Sequence, residues 1–202
     1  MKVLNLYAGI GGNRKHWGDK HEVTAVEFDP AIAAAYKELY PNDTVVVADA
    51  HQYLLEHHAE FDFIWSSPPC PTHGQYRYNV GVRAKGYAPV FPDMKLYEEI
   101  IFLQYYFKGL WAVENVKPYY KPLVEPTAIL QRHLIWSNFP ISDLKLPPKN
   151  IRSKNKISDY DADFDITKTA IKNKRQVLRN CVDPALGLHV FAEAVKAQGD
   201  NS

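Results

Sequence analysis

The chain has 202 residues, 46% hydrophobic and 23% charged, with a formal net charge of +1. That balance excludes a disordered chain and suits one domain with a real core. It has no apolar run near the roughly 20 residues of a membrane helix and no signal-peptide pattern. Its two cysteines, Cys70 and Cys181, form neither a disulfide framework nor a Cys-x-x-Cys zinc site, so the expectation is a cytoplasmic, monomeric protein.

The elements run in an alternating order. Val3 to Tyr7 reads as an apolar strand, broken by Gly9, Gly11 and Gly12 and followed by a short helix over 13–19. Val23 to Phe28 is a second strand, and Ala31 to Leu39 is an alanine-rich helix stopped by Pro41. A third strand, Val45 to Ala48, precedes a helix over 50–57, and Phe61 to Trp65 is a fourth strand ending at Pro68-Pro69-Cys70. Residues 71–92 read as a loop, long enough to mark a functional segment. Asp93 is the expected N-cap of a helix over 94–107, and Leu110 to Val113 is a fifth strand followed by Glu114-Asn115-Val116. Residues 128–139 look β-like, residues 140–174 like a polar inserted lobe, and 185–197 like a closing amphipathic helix. Strands alternating with helices predict an α/β fold: a mostly parallel sheet with helices on both faces.

Charge is spread unevenly. Residues 1–70 carry a net −5, residues 71–92 a net +3 and residues 141–182 a net +5. Two basic segments can face a polyanion, or simply form solvated surface. Asp159, Asp161, Asp163 and Asp165 alternate without the glycine and glutamate of a calcium loop, so no metal site is expected.

Three strand ends carry candidate chemistry. Glycines after the first strand allow a tight turn or a close approach to a ligand. Glu27 and Asp49, at the next two strand ends, can accept hydrogen bonds from ribose hydroxyls and an adenine amino group. No Gly-Lys-Ser/Thr follows, so a phosphate-binding P-loop is disfavoured. Cys70, fixed between prolines at the head of a long loop, is placed as a nucleophile, although a lone cysteine also serves as a small core residue. Glu114 ends the neighbouring strand, where a carboxylic acid can protonate a ring nitrogen.

Taken in order, these blocks resemble the DNA cytosine-5 methyltransferases over nearly the whole chain, most of all the short, phage-type members. The matching blocks are Tyr7-Ala8-Gly9-Ile10-Gly11-Gly12, Glu27, Asp49, Pro69-Cys70, Leu96, Glu114-Asn115-Val116, Arg132, Arg175-Gln176-Val177 and Asn180-Cys181-Val182-x-Pro184. The resemblance implies a Rossmann-like methyltransferase fold, S-adenosylmethionine as methyl donor, and double-stranded DNA as partner. It implies a cofactor pocket from Tyr7, Ala8, Gly9, Gly11, Gly12, Glu27, Phe28, Asp49, Ala50, Pro69, Leu96, Asn180 and Val182. It implies Cys70 as nucleophile beside Pro69, Glu114 as the acid at N3, Asn115 as a further residue of the catalytic group, and Arg132 as a contact to the base. Residues 1–140 plus 175–202 would be the catalytic domain and 141–174 a short target-recognition segment. Arg77, Arg83 and Lys85 in the 71–92 segment, with Lys145, Lys149, Arg152, Lys154 and Lys156, would meet DNA. The chain departs from the family's usual Asp at Asn5, Gln at Pro71, Gly at Arg179 and an earlier arginine at Leu130. An RNA cytosine-5 methyltransferase and a catalytically inactive DNA-binding relative are the alternatives; intact Cys70 and Glu114 oppose the second, and no Cys-Phe-Thr signature of the tRNA-acting branch is present.

Overall fold

The computed structural model describes residues 1–146 and 164–200. Seven strands form one sheet: β1 (Lys2–Leu6), β2 (Glu22–Glu27), β3 (Thr44–Val47), β4 (Phe63–Ser66), β5 (Leu110–Val116), β6 (Ala128–Leu130) and β7 (His133–Ser137). Their spatial order is β3-β2-β1-β4-β5-β7-β6. The first five are parallel, while β7 runs antiparallel to β5 and β6 antiparallel to β7. Among the described residues five α-helices cover it: α1 (Pro30–Leu39), α2 (Ala50–His57), α3 (Lys95–Tyr106), α4 (Lys174–Asn180) and α5 (Pro184–Asp200).

Central parallel strands are covered on both faces and so read as unbroken apolar runs; all four residues of β4, Phe-Ile-Trp-Ser, are buried. On one face Leu4, Leu6, Ile64, Trp111 and Val113 pack with Leu54 of α2 and Ile100 and Leu103 of α3. On the other, Val3, Phe63, Trp65 and Ile135 meet Leu186, Val190, Phe191 and Ala194 of α5. Trp17 closes this second layer, its ring 4.5 Å from Phe191 and its indole N–H donating to the Gly187 carbonyl at 3.1 Å. Each such fully buried large side chain stabilises the fold by about 2 kcal/mol. Local signals set the ends of α1: the Asp29 carboxylate accepts from the Ala31 and Ile32 amides, Pro30 opens the helix, and Tyr40 with Pro41 stops it.

The fold departs from the expected elements where tertiary contacts override local pattern. The strand expected to stop at Val113 runs on to Val116, because β7 supplies partners for Glu114, Asn115 and Val116. Residues 128–139 are a hairpin of two strands, turned at Gln131 with φ 57°. Arg77–Ala84, inside the expected loop, winds as a π-helix. Helix α3 starts at Lys95 with Met94 as its cap residue, although Asp93 still accepts from the Lys95 amide at 3.1 Å. Both flanks of the expected 141–174 lobe pack on the body. Ile141, Leu144 and Leu146 lie against the α5 layer, and Phe164, Ile166 and Ile171 are buried with Ile10, Ala35 and Leu178. Lys149, Arg152, Lys154, Lys156, Asp159, Asp161 and Asp163 lie outside the described residues. Among the described residues no helix is long and apolar enough to cross a membrane, and no cluster of three metal-ligating side chains occurs.

Candidate active site

From β1 the chain winds outward through β2 and β3; β4 returns to the other side of β1 and is followed by β5. The carboxyl ends of β1 and β4 therefore flank the topological switch point, where an open α/β sheet offers a crevice. The Tyr7–Gly12 turn and the Pro68–Cys70 segment both leave the sheet there.

The glycine turn is shaped by close approach. A Cβ on Gly11 (φ 76°) would stand 2.3 Å from the Tyr40 ring. One on Gly12 would stand 2.2 Å from Cys181 Sγ and 2.4 Å from the Val182 carbonyl oxygen. The last sequence block thus folds back against the first. Gly9 (φ 55°) would meet nothing within 4 Å, so the turn keeps an open side. Tyr7 is itself left-handed at φ 54°, a conformation uncommon without glycine. Its hydroxyl donates to Glu99 Oε1 at 2.6 Å, and burial with the Glu99 charge pushes the phenol well above its usual range. Glu99, fully buried on α3, also accepts from Ser66 Oγ at 2.6 Å and pairs with His51 Nδ1 at 3.1 Å.

At the end of β2, Glu27 Oε2 accepts from the Gly9 amide and Oε1 from the Asp29 amide, both at 2.9 Å. Each oxygen can accept a further hydrogen bond. Phe28 follows with its ring 75% exposed. Asp49 caps α2 through Oδ1, which accepts from the Gln52 amide at 3.0 Å, while Oδ2 stands 3.8 Å from Lys95 Nζ. The cap and the lysine hold this carboxyl below its usual range. An open glycine turn, two acceptor carboxylates and an exposed aromatic ring fit an adenosyl ligand. Ala8, Ala50 and Val182 are buried in the walls, Asn180 is exposed, and Leu96 is only 3% exposed. Leu96 packs in the α3 core.

Cys70 is half-buried, and its carbonyl accepts from the His73 and Gly74 amides at 3.1 Å, which turns the chain sharply after it. Burial pushes the thiol up, the nearby Glu114 charge pushes it further, and Arg132 opposes both. Cys70 follows β4, Glu114 lies on the neighbouring β5 and Arg132 precedes β7 beside it, so adjoining strands bring the three into one site. Asn115 ties it together: its Nδ2 donates to the Pro68 carbonyl at 2.9 Å, and its Oδ1 accepts from the Val116 amide at 2.9 Å. Glu114 faces a side chain that the sequence reading does not single out. His133 lies diagonally across the β5–β7 ladder, two residues from the Glu114 partner Ile135 and hence on the same face. Its Nδ1 is 2.5 Å from Glu114 Oε1, and its Nε2 accepts from Arg132 Nε at 3.2 Å. Only the register of β5 on β7 reveals this pairing.

The 71–92 segment rests on residues 118–120. Tyr78 stacks on Tyr119 at 4.2 Å, Gln75 Nε2 donates to the Pro118 carbonyl at 3.1 Å, and His73 Nδ1 meets the Tyr120 hydroxyl at 2.5 Å. Arg77, Arg83, Lys85 and Lys145 are exposed.

No family model matches the chain, and no curated protein matches it. Solved structures do. One is the Escherichia coli protein yhhF, provisionally named a methyltransferase, at 18% identity over 67% of this chain and 74% of that one, TM-score 0.44. A DNMT2 variant of Spodoptera frugiperda matches at 25% identity over 57% of this chain and 35% of that one, TM-score 0.38. A third, provisionally named a DNA modification methyltransferase and encoded within an E. coli prophage, matches at 18% identity over 60% and 33% of the respective chains, TM-score 0.40. Methyltransferases are thus among the structures this chain is similar to, at identities and scores that leave its chemistry to its own residues.

Proposed function

We propose that the chain transfers a methyl group from S-adenosylmethionine to C5 of a flipped-out cytosine in double-stranded DNA, through a covalent bond between Cys70 and C6. The observation that carries this reading is that Cys70 after β4, Glu114 on β5 and Arg132 before β7 stand on adjoining strands, joined by the Asn115–Pro68 bond and the Glu114–His133–Arg132 contacts. The bound cofactor supplies an electrophilic methyl group. Glu27, Phe28 and Asp49 line the crevice that would hold its adenosyl part. Addition of the Cys70 thiolate to C6 makes C5 enamine-like, and the ring accepts it only if charge at N3 is neutralised. Glu114 gives that proton, and Arg132 faces the developing charge at the base edge. The two protons are linked. Ionised Glu114 raises the Cys70 thiol, so a Glu114 that holds its proton leaves Cys70 easier to ionise. After methyl transfer, solvent water takes the C5 proton, the Cys70 sulfur leaves C6 as a thiolate, and N3 returns its proton to Glu114, which restores the ring. Reaching the base requires flipping it from the duplex, at roughly a few kcal/mol; Arg77, Arg83 and Lys85 stand on the segment after Cys70 and suit phosphate contacts. The test is covalent trapping: with S-adenosylmethionine and duplex DNA containing 5-fluorocytosine, the protein should form an adduct at Cys70 that Cys70→Ser does not. RNA of the same sequence is the comparison, and its preferential trapping would refute the DNA assignment.

A further inference from the structure

The proposed acid step leaves one question to the protein: which oxygen of Glu114 carries the proton. Arg132 Nε can only donate, so His133 Nε2, 3.2 Å away, must be the bare nitrogen of the ring. The proton of the neutral imidazole then sits on Nδ1, directed at Glu114 Oε1 across 2.5 Å. Both His133 and Glu114 are 6% exposed, so water does not compete freely for this bond. We infer that His133 is a positioning residue for Glu114: locked by Arg132 as the Nδ1–H tautomer, it occupies Oε1 and assigns the transferable proton to Oε2. This rests on the proposed cytosine chemistry.

The arrangement favours the transition state over the ground state. While Glu114 is protonated at Oε2, Oε1 is a carbonyl-like acceptor and the His133 bond is an ordinary one. As the proton moves to N3 of the base, Glu114 becomes a carboxylate and the same bond becomes charge-assisted, about twice as strong. An interaction that strengthens only as charge develops raises kcat rather than lowering KM. Among the described residues, the charged and titratable groups that meet the His133 ring are Glu114 and Arg132. The bonds balance: one O–H bond of Glu114 breaks, one N–H bond of the base forms, and the reverse occurs when sulfur leaves.

The experiment compares the whole protein with His133→Leu and His133→Asn on duplex DNA, measuring steady-state methylation and adduct formation on 5-fluorocytosine DNA. Loss of the donor in His133→Leu should lower kcat roughly 100-fold and leave KM for DNA within about threefold. His133→Asn, whose amide can donate near the Nδ1 position but cannot take up a proton, should recover to within about tenfold of wild type. Nitrogen-15 spectra of the histidine rings should show His133 protonated at Nδ1 and bare at Nε2. A folded His133→Leu protein with wild-type kcat overturns the inference, as does His133→Asn no better than His133→Leu, or a ring protonated at Nε2. If His133→Leu does not fold, His133→Asn and the spectra decide. A wild-type protein that traps no DNA defeats the proposed function and the inference together, whereas trapping unaffected by His133→Leu defeats the inference alone.

Discussion

Gly12→Ala tests whether the end of the chain is built into the cofactor edge. The Gly12 backbone is ordinary right-handed helical (φ −59°, ψ −47°), so an alanine carries no conformational penalty. On backbone grounds alone it should stabilise by about 0.4–1 kcal/mol, through a less flexible unfolded chain. The contacts reverse that sign. A Cβ would lie 2.2 Å from Cys181 Sγ, 2.4 Å from the Val182 oxygen and 3.1 Å from the Val182 nitrogen. Two of these three atoms are backbone, in the link between α4 and α5, so no side-chain rotation relieves the clash. Either the turn or the link must move by about 1 Å, an overpacking cost of about 1–3 kcal/mol. For a chain of this size that lowers Tm by about 2–4 °C per kcal/mol. The same movement displaces the open side of the turn at Gly9, so S-adenosylmethionine binding should weaken at least about tenfold, or 1.4 kcal/mol. Thermal denaturation and calorimetric titration measure the two effects. Gly199→Ala, a helical position where a Cβ meets nothing within 4 Å, is the control. A Gly12→Ala protein as stable as wild type with unchanged affinity would show that the Cys181–Val182 link does not pack on the turn.

Three further outcomes are expected. Asp43 is 2% exposed and accepts from Arg14 Nε and Nη2, each at 2.9 Å, and from Tyr36 Oη at 2.7 Å. Asp43→Ala strands a buried guanidinium and should cost about 3–5 kcal/mol in denaturant unfolding; a loss under about 1 kcal/mol contradicts that burial. Iodoacetamide labelling of Cys70, read by mass spectrometry, should accelerate with pH through 8 and 9, because burial and Glu114 raise the thiol above its ordinary 9.0. Glu114→Gln should speed labelling at pH 8 and Arg132→Met slow it; the reverse order refutes the shared site. His51 is raised above its ordinary 6.5, first by its hydrogen bond to Glu99. A raised folded-state value means stability fully present below about pH 6.5 and lost as pH climbs through that value. The Tm advantage of wild type over His51→Gln should therefore shrink between pH 6 and pH 8.5, and an advantage that grows would reverse the assignment.

The parallel half of the sheet was legible because its signals are local. Short, mostly apolar runs set β1 and β4, the Asp29-Pro30 pair sets the start of α1, and Gly9 and Gly11 take the left-handed conformations that a tight turn demands. Cys70 and Glu114 could be nominated from their places near strand ends. What was not legible depends on pairing between distant segments. The extension of β5 to Val116 exists only because β7 lies beside it. The π-helix over Arg77–Ala84 is held by the Tyr78–Tyr119 stack and by Gly81 buried against Tyr87. The Phe164, Ile166 and Ile171 side chains stand in a polar stretch with no period, yet they fill the space beside Ile10 and Ala35. Glu99 reads as one more charge on a helix until the fold places Tyr7, Ser66 and His51 around it.

Four positions of the sequence, Asn5, Pro71, Arg179 and Leu130, find physical reasons in the same contacts. Asn5 is fully buried, and its amide pairs reciprocally with Asn13 at 2.7 and 3.5 Å, beneath the point where Gly187 of α5 passes the Asn13 backbone. A neutral amide pair satisfies that site without burying a charge. Pro71 takes the second position of a turn closed by the His73 amide on the Cys70 carbonyl, where proline is favoured and no N–H is needed. Arg179 lies within α4, in right-handed backbone that asks for no glycine. Leu130, where an earlier arginine would stand, is 2% exposed and packs beneath the hairpin, so a cation there would be buried without water. Arg132 instead meets Nε2 of the histidine that follows it, and that histidine occupies Oε1 of Glu114. Arg132 thus reaches Glu114 through the His133 imidazole, a geometry set by the β5–β7 register.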